Sequence, residues 1–294
     1  MPRPLTTALV LGASGQIGRF LLPRLLDSGC RVSALSRHQG VGSDGRVTWL
    51  QGDLFGQMPD LPAVDAIFSL GPLDGLAHWM AHAALPGAPR LIAFSSMSAL
   101  SKIDSGDPAE RALAAHLLAS EAAVTAAAEQ RGMAWTLFRP TLIYGAGIDR
   151  SLSPLARLGT RWHVFPRIPA ASGLRQPVHA GDLAEISQRA AQCESAAGQT
   201  LALGGGERLR FADLLARVQA SLPGRTVGLP IPLRGALALA GLRRFWPHLP
   251  LPSAAGIQRL RHDLIADDEA AQAMLDWAPR GFLPDASTWR PRSL

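Results

Sequence analysis

The stretch TALVLGASGQIGRFLLPRLLDSG, residues 7 to 29, decides the fold. Its first five residues are a short apolar run and its middle is a turn punctuated by glycines. From Ile17 onward, apolar residues recur at helical spacing until Gly29, a residue type that favours helix ends. Strand, tight turn and helix therefore follow one another directly. Pro23 falls inside the helical part, where it removes a backbone donor and is expected to bend the axis.

Working outward, RVSALS (31 to 36), VTWLQ (47 to 51), DAIFSL (65 to 70), RLIAFSS (90 to 96) and AWTLFRP (134 to 140) repeat the apolar run, with helical or loop segments between them. A strand that is apolar on both sides is covered on both sides, and alternation with helices makes the sheet parallel. ERALAAHLLASEAAVTAAAEQRG is the longest helix signal and closes at Gly132. From about residue 150 the texture changes: prolines multiply, and TLALGG (200 to 205) reads as one more strand. The segment 222 to 253, rich in Pro, Leu and Trp, reads as covering a substrate. The predicted architecture is α/β: a doubly wound parallel Rossmann sheet over residues 1–150, with a smaller C-terminal substrate cap over 151–294. About 177–205 are expected to return to the sheet.

With 294 residues, 47% of them hydrophobic, the chain can bury a substantial core. No apolar run approaches the roughly 20 residues that span a bilayer, and MPRPLTT lacks the apolar stretch of a signal peptide. No integral membrane segment is expected, and a cytoplasmic location is. The net charge of +6 rests on 29 basic residues, of which only Lys102 is a lysine. They form no basic run with interleaved aromatics, so no nucleic-acid partner is expected. Cys30 and Cys193 read as buried thiols. The histidines are read as lacking ligand-spaced pairs, so no metal site is expected. FSSMS (94 to 98) is not a GxSxG elbow, which excludes that hydrolase type.

Bound phosphates need backbone N–H donors and a helix N-terminus, and a side chain on the turn would hold them away. Gly12-Ala-Ser-Gly15-Gln-Ile-Gly18 meets that need directly after a strand. Gly12, Ser14, Gly15, Gln16, Ile17 and Gly18 are therefore candidates to hold a dinucleotide pyrophosphate. A domain that prefers NAD places a carboxylate on the adenosine ribose at the end of the second strand. Here that strand ends in Ser36 and Arg37. A guanidinium pairs with the additional phosphate that a carboxylate would repel, so NADP(H) is favoured over NAD(H).

GASGQIG, GDL (52 to 54), FSSMS, LFRPTLIYG (137 to 145), QPVHAGDLA (176 to 184) and MLDWAPRGF (274 to 282) stand in one order along nearly the whole chain. In this it resembles the atypical and extended short-chain dehydrogenase/reductases, with the NAD-dependent epimerase/dehydratase group nearest in flavour. The resemblance implies that Asp53 and Leu54 flank the adenine and that Gly71 lies beside the cofactor. It also implies that Ser95 and Ser96 lie near the nicotinamide and that Pro140 to Leu142 contact its carboxamide. His179 and Asp182 would tie the cap to the sheet. Arg175, and Arg259 or Arg261, would stand where the extended family commonly places arginines on a nucleotide-sugar diphosphate. Phe245 and Trp246 suit a stacked base, an apolar substrate or core.

The chain departs from that pattern at the proton-transfer dyad. The family uses a tyrosine and a lysine spaced YxxxK on the long helix, the ammonium lowering the phenol pKa. Here the single tyrosine is Tyr144 and the single lysine Lys102. Anchoring the helix on Glu121 puts Leu113 and Leu117 in the dyad positions. Three explanations stand. Ser96, Lys102 and Tyr144, from loops at the carboxyl edge of the sheet, replace the dyad; His116, on the long helix, supplies the proton transfer; or no hydride chemistry survives. The first two give an NADP-dependent oxidoreductase or epimerase acting on a hydroxyl or ketone of a nucleotide sugar or similar small molecule. The third gives a catalytically silent NADPH-binding regulator or assembly factor. Reaction direction is not legible, and a homodimer is left open.

Overall fold

The computed structural model describes residues 5–37, 45–83, 85–232, 234–235 and 254–293. Residues 236–253, including Phe245 and Trp246, lie outside the described residues. The first half runs β1 (Thr7–Leu11), α1 (Gly18–Asp27), β2 (Arg31–Ser36), β3 (Val47–Gln51), β4 (Ala66–Ser69), α2 (Leu73–His82), β5 (Arg90–Phe94), α3 (Ser98–Ser101), α4 (Pro108–Gln130) and β6 (Trp135–Pro140). It continues through β7 (Ile143–Tyr144), α5 (Leu152–Trp162), β8 (Val164–Arg167), β9 (Leu174–Arg175), β10 (Val178–His179), α6 (Ala180–Gln192), β11 (Gln199–Leu203), β12 (Leu209–Arg210), α7 (Phe211–Ala220) and β13 (Val227–Pro230).

Seven strands form one sheet in the order β11-β6-β5-β4-β1-β2-β3. Every pairing in it is parallel. The fold class read from the apolar runs is the one observed. Chain direction across the sheet reverses between β1 and β4. The crevice outside their carboxyl ends is where open α/β sheets take ligands.

Strand periodicity explains why both faces are covered. Along β1, Ala8 and Val10 pack with Leu21, Leu25, Phe68, Phe138 and Ile186 on the α1 and α6 side. Leu9 and Leu11 pack with Ile67, Leu76, Met80, Val124 and Leu137 on the α2 and α4 side. A third cluster, including Leu152, Phe165, Leu214, Val218, Phe282 and Trp289, gathers α5, α7 and the C-terminal stretch. Three two-stranded ladders accompany it: β7 with β10, β9 with β12, and β8 with β13.

Local signals set the ends of the long helix. Asp107 caps α4 by accepting from the amide of Ala109 at 2.9 Å, and Pro108 follows in the first turn, where its missing N–H costs nothing. Past the other end, Gly132 takes φ +64°, a left-handed conformation that stops the helix with little steric penalty. Pro23 lies inside α1, as the sequence requires.

Candidate functional site

The glycine turn is dictated by backbone crowding. Gly12 has φ +78°, and a Cβ there would lie 2.9 Å from the Gly71 nitrogen and 3.0 Å from the Leu70 carbonyl carbon. A Cβ on Gly18 would come within 2.1 Å of the Ala13 oxygen, so the start of α1 is pressed onto the turn. Gly15 donates its amide to the Gly12 carbonyl at 2.9 Å, closing the loop. α1 then opens from Ile17 with no side-chain cap. The amides of Arg19 and Phe20 donate to the Gly15 and Ile17 carbonyls, whereas those of Gln16, Ile17 and Gly18 have no hydrogen-bond partner among the described residues, and the helix end carries partial positive charge. The buried Oε1 of Gln16 has no hydrogen-bond partner among the described residues. A bare turn, uncapped amides and an orphaned polar atom together fit a bound diphosphate.

The residues expected to flank the adenosine lie at the ends of the neighbouring strands. β2 ends at the buried Ser36, and exposed Arg37 follows it. Asp53 folds its own loop, its amide donating to the Gln57 carbonyl at 2.9 Å and its Oδ1 accepting from the Phe55 amide at 3.0 Å. Leu54 is buried, and its side chain lies against the positions of Gly71 and Gly75. The loops after β3 and β4 are thereby held together beside the glycine turn.

At the end of β5, the Ser95 hydroxyl donates to Glu121 Oε1 at 2.5 Å. Glu121 is buried and also accepts from Arg139, from Nε at 3.0 Å and from Nη2. This pair ties α4 to β6 and fixes Ser95. Ser96 is less committed: its Oγ accepts from the Ser98 amide at 3.1 Å, leaving its proton available to a ligand. Pro140 accepts from the Met97 amide, and Leu142 from the Val178 amide, so these two residues join the β5 and β10 loops through their carbonyls. Leu113 is exposed and Leu117 half-buried on α4.

Comparison with known proteins agrees with this geometry. Residues 12–147 match the family model described as NAD(P)H-binding. This stretch of the chain is thus similar to NAD(P)H-binding domains. The chain is similar to the mitochondrial NADH-ubiquinone oxidoreductase 40 kDa subunit of Neurospora crassa, at 25% identity, over 90% of this chain and 73% of that protein. Its fold is shared by MoeE5, solved with UDP-glucuronic acid and NAD, at TM-score 0.72 and 20% identity, covering 96% of this chain and 97% of that one. An epimerase from Methanothermobacter thermautotrophicus gives TM-score 0.70 and 16% identity over 98% and 90% of the two chains. The UDP-glucuronic acid 4-epimerase of Bacillus cereus, solved with NAD, gives TM-score 0.68 and 15% identity, covering 97% of each chain. Among the described residues, no helix is long and apolar enough to cross a membrane.

Of the residues weighed as substitutes for the dyad, Tyr144 and His116 are engaged with partners of their own. Tyr144 is buried, and its hydroxyl donates to the Gly281 carbonyl at 3.4 Å. Burial first, then Asp182 and Glu207, raise its pKa far above the usual phenol range, with Arg280 opposing. His116 is exposed and pairs with Asp74 Oδ2 at 3.0 Å, linking α4 to the first turn of α2. Lys102 is half-buried just after α3. Burial, then Arg259, lower its pKa, with Asp107 opposing.

The three arginines weighed for a diphosphate differ in their partners. The buried Arg175 guanidinium donates to the carbonyls of Leu174, His262 and Arg259 at 2.7 to 2.9 Å, so here it joins two chain segments. Arg259 pairs with the buried Glu110, which also accepts from Ser105 at 2.7 Å. Arg261 is exposed.

Two readings need amendment. The histidines do include a ligand-spaced pair: His78 and His82 stand four apart on α2, with ring centroids 5.7 Å apart. Among the described residues no group of three ligand-type side chains forms around them. The partners of Glu121 also went unrecognised. Arg139 lies inside an apolar strand, and a charge in a strand covered on both faces requires an opposite charge, which was the signal available.

Proposed function

We propose that this protein is an NADP(H)-dependent oxidoreductase or epimerase acting on a hydroxyl or ketone of a nucleotide sugar or similar small molecule. Residues 1–150 hold the nucleotide and 151–294 cover the substrate. The observation that carries the reading is the uncapped glycine turn at the β1–β4 switch point, with the uncommitted Ser96 hydroxyl at the end of β5 in the same crevice. Gly12, Gly15 and Gly18 admit the pyrophosphate to the amides of α1, and Arg37 pairs with the additional phosphate of NADP.

When bound, the cofactor accepts or donates hydride. Ser96 donates its proton in a hydrogen bond to the reacting substrate oxygen and orients it. In the reductive direction, Lys102 delivers a proton from its ammonium to that oxygen; in the oxidative direction its neutral amine removes one. Partial burial and the neighbouring Arg259 favour the neutral amine and suit this two-way role. Tyr144 takes no part, because its hydroxyl is buried against the Gly281 carbonyl.

NADPH should bind more tightly than NADH, and Arg37→Ala should erase that difference. Turnover with a panel of ketones and nucleotide sugars should fall by roughly 10²-fold in Ser96→Ala and in Lys102→Met. Unchanged turnover in both variants discards the assignment.

A second reading, a catalytically silent NADPH-binding regulator or assembly factor, is favoured by Leu113 and Leu117 in place of the dyad and by similarity to a subunit of NADH-ubiquinone oxidoreductase. NADPH binding without oxidation of the cofactor across the panel, together with stoichiometric capture of a protein partner, selects it.

A further inference from the structure

A groove of about 750 Å³ runs between the start of α1, the loop after β7, the start of α6 and the C-terminal stretch 280–293. Aromatic rings form part of its lining. His179 meets Phe20 and Tyr144 edge-on, at centroid distances of 5.1 and 5.2 Å. The remaining wall is strongly basic, with Arg19, Arg280, Arg290 and Arg292.

These arginines stand on fixed backbone. Trp289 is buried, and its indole N–H donates to Ser221 Oγ at 2.8 Å. The Arg290 carbonyl oxygen lies 2.2 Å from where a Cβ on Gly147 would stand, and the Arg292 amide donates to the Ala146 carbonyl at 3.1 Å.

Counter-charge is missing where it would be expected. Arg280 is paired with Asp182. Among the described residues, no carboxylate lies within ion-pairing reach of Arg19, Arg290 or Arg292. Arg292 instead stacks over Phe20, 4.4 Å from the ring centroid, and donates from Nε to the Arg19 carbonyl at 3.3 Å. Asp285, the groove's own carboxylate, faces its own turn and accepts from the amides and hydroxyls of Ser287 and Thr288. His179 adds no compensating charge. Burial, then Arg280 and Arg292, push it down to about 4 with Asp182 opposing, so it is neutral at pH 7. Three guanidiniums held around a concave surface repel one another, and a multivalent anion relieves that repulsion through charge-assisted, bidentate contacts.

We propose that this groove is a second ligand site, taking a phosphate-bearing metabolite whose flat or apolar body rests on Phe20 and His179. None of Gly12 to Gly18 lines it, so it is distinct from the dinucleotide turn. It touches that turn through Arg19, whose Nε donates to the Ser14 carbonyl at 3.0 Å.

The test is calorimetric titration of inorganic pyrophosphate into the full-length protein, with and without saturating NADPH, and into Arg290→Ala/Arg292→Ala. Pyrophosphate should still bind with NADPH saturating, should bind at least tenfold more weakly to the double variant, and should weaken as NaCl rises. Absence of binding, loss of all binding once NADPH is saturating, or equal affinity in the double variant overturns the proposal. If the double variant melts early, the single charge removals Arg290→Gln and Arg19→Gln are read against the same outcomes. Should the chain bind no NADPH, titrations of the wild type and the variant still decide the groove separately from the cofactor reading.

Discussion

Glu121→Gln removes a charge from a buried site and tests how the carboxyl end of β5 is held. Glu121 is 5% exposed, and the side chain of its partner Arg139 is 20% exposed. Glutamine keeps the shape and one acceptor but turns an N–H₂ group towards the guanidinium or Ser95, leaving the Arg139 charge uncompensated. Removing one partner of a buried pair costs about 3–5 kcal/mol, and the partial exposure of Arg139 puts the expected loss near 3 kcal/mol. For a chain of this size that is a fall in Tm of roughly 5 °C. Glu121→Leu/Arg139→Met removes both charges and should melt within about 1 kcal/mol of wild type, because no charge is then left unpaired. The assay is reversible thermal melting by circular dichroism at pH 7, on both variants. A drop of less than about 2 °C for Glu121→Gln, or a double variant that melts as low as the single one, refutes the reasoning.

His179 makes stability depend on pH. Its imidazole is held down to about 4, first by burial, whereas the unfolded ring titrates at its ordinary value of 6.5. Below pH 6.5 the unfolded chain takes up a proton that the folded chain refuses until about pH 4, so stability falls through that window, by about 1–3 kcal/mol in total after allowing for partial exposure. His179→Asn keeps an acceptor for the Gly181 amide and should flatten this slope in melts at pH 7 and pH 5; equal slopes count against the account. Asp107→Ala removes the cap of α4 and should cost about 1 kcal/mol in urea unfolding, and no change in midpoint contradicts that cap. In a thiol titration, half-buried Cys193 should react before Cys30, which burial raises to about 11, and the reverse order would show that Cys30 is accessible.

The sheet was legible because each of its strands is a short apolar run, and an all-apolar run has one stable place, between two layers of helices. The glycine turn was legible for a different reason: its spacing follows from backbone contacts within a few residues, such as Gly18 against Ala13. The far side of the crevice was harder to read because its geometry depends on partners distant in sequence. Nothing local to Tyr144 says that its hydroxyl meets Gly281, and nothing near Arg175 says that it bonds to the carbonyls of His262 and Arg259. Tyr144 was read from its place in a loop at the carboxyl edge and Arg175 by family likeness, and the structure gives both internal partners.

The central claim is that bare amides at the β1–α1 junction grip a dinucleotide. Gly15 offers the cleanest perturbation: its backbone is not in the left-handed region, and an added Cβ would approach only the Gly12 carbonyl oxygen, at 3.0 Å. The deciding measurement is calorimetric titration of NADPH into the wild type and Gly15→Val, with circular dichroism confirming that both are folded. The account predicts saturable binding by the wild type and at least tenfold weaker binding by the variant, a loss of about 1.4 kcal/mol or more. A wild type that binds neither NADPH nor NADH, or a valine variant that binds as tightly, would contradict it.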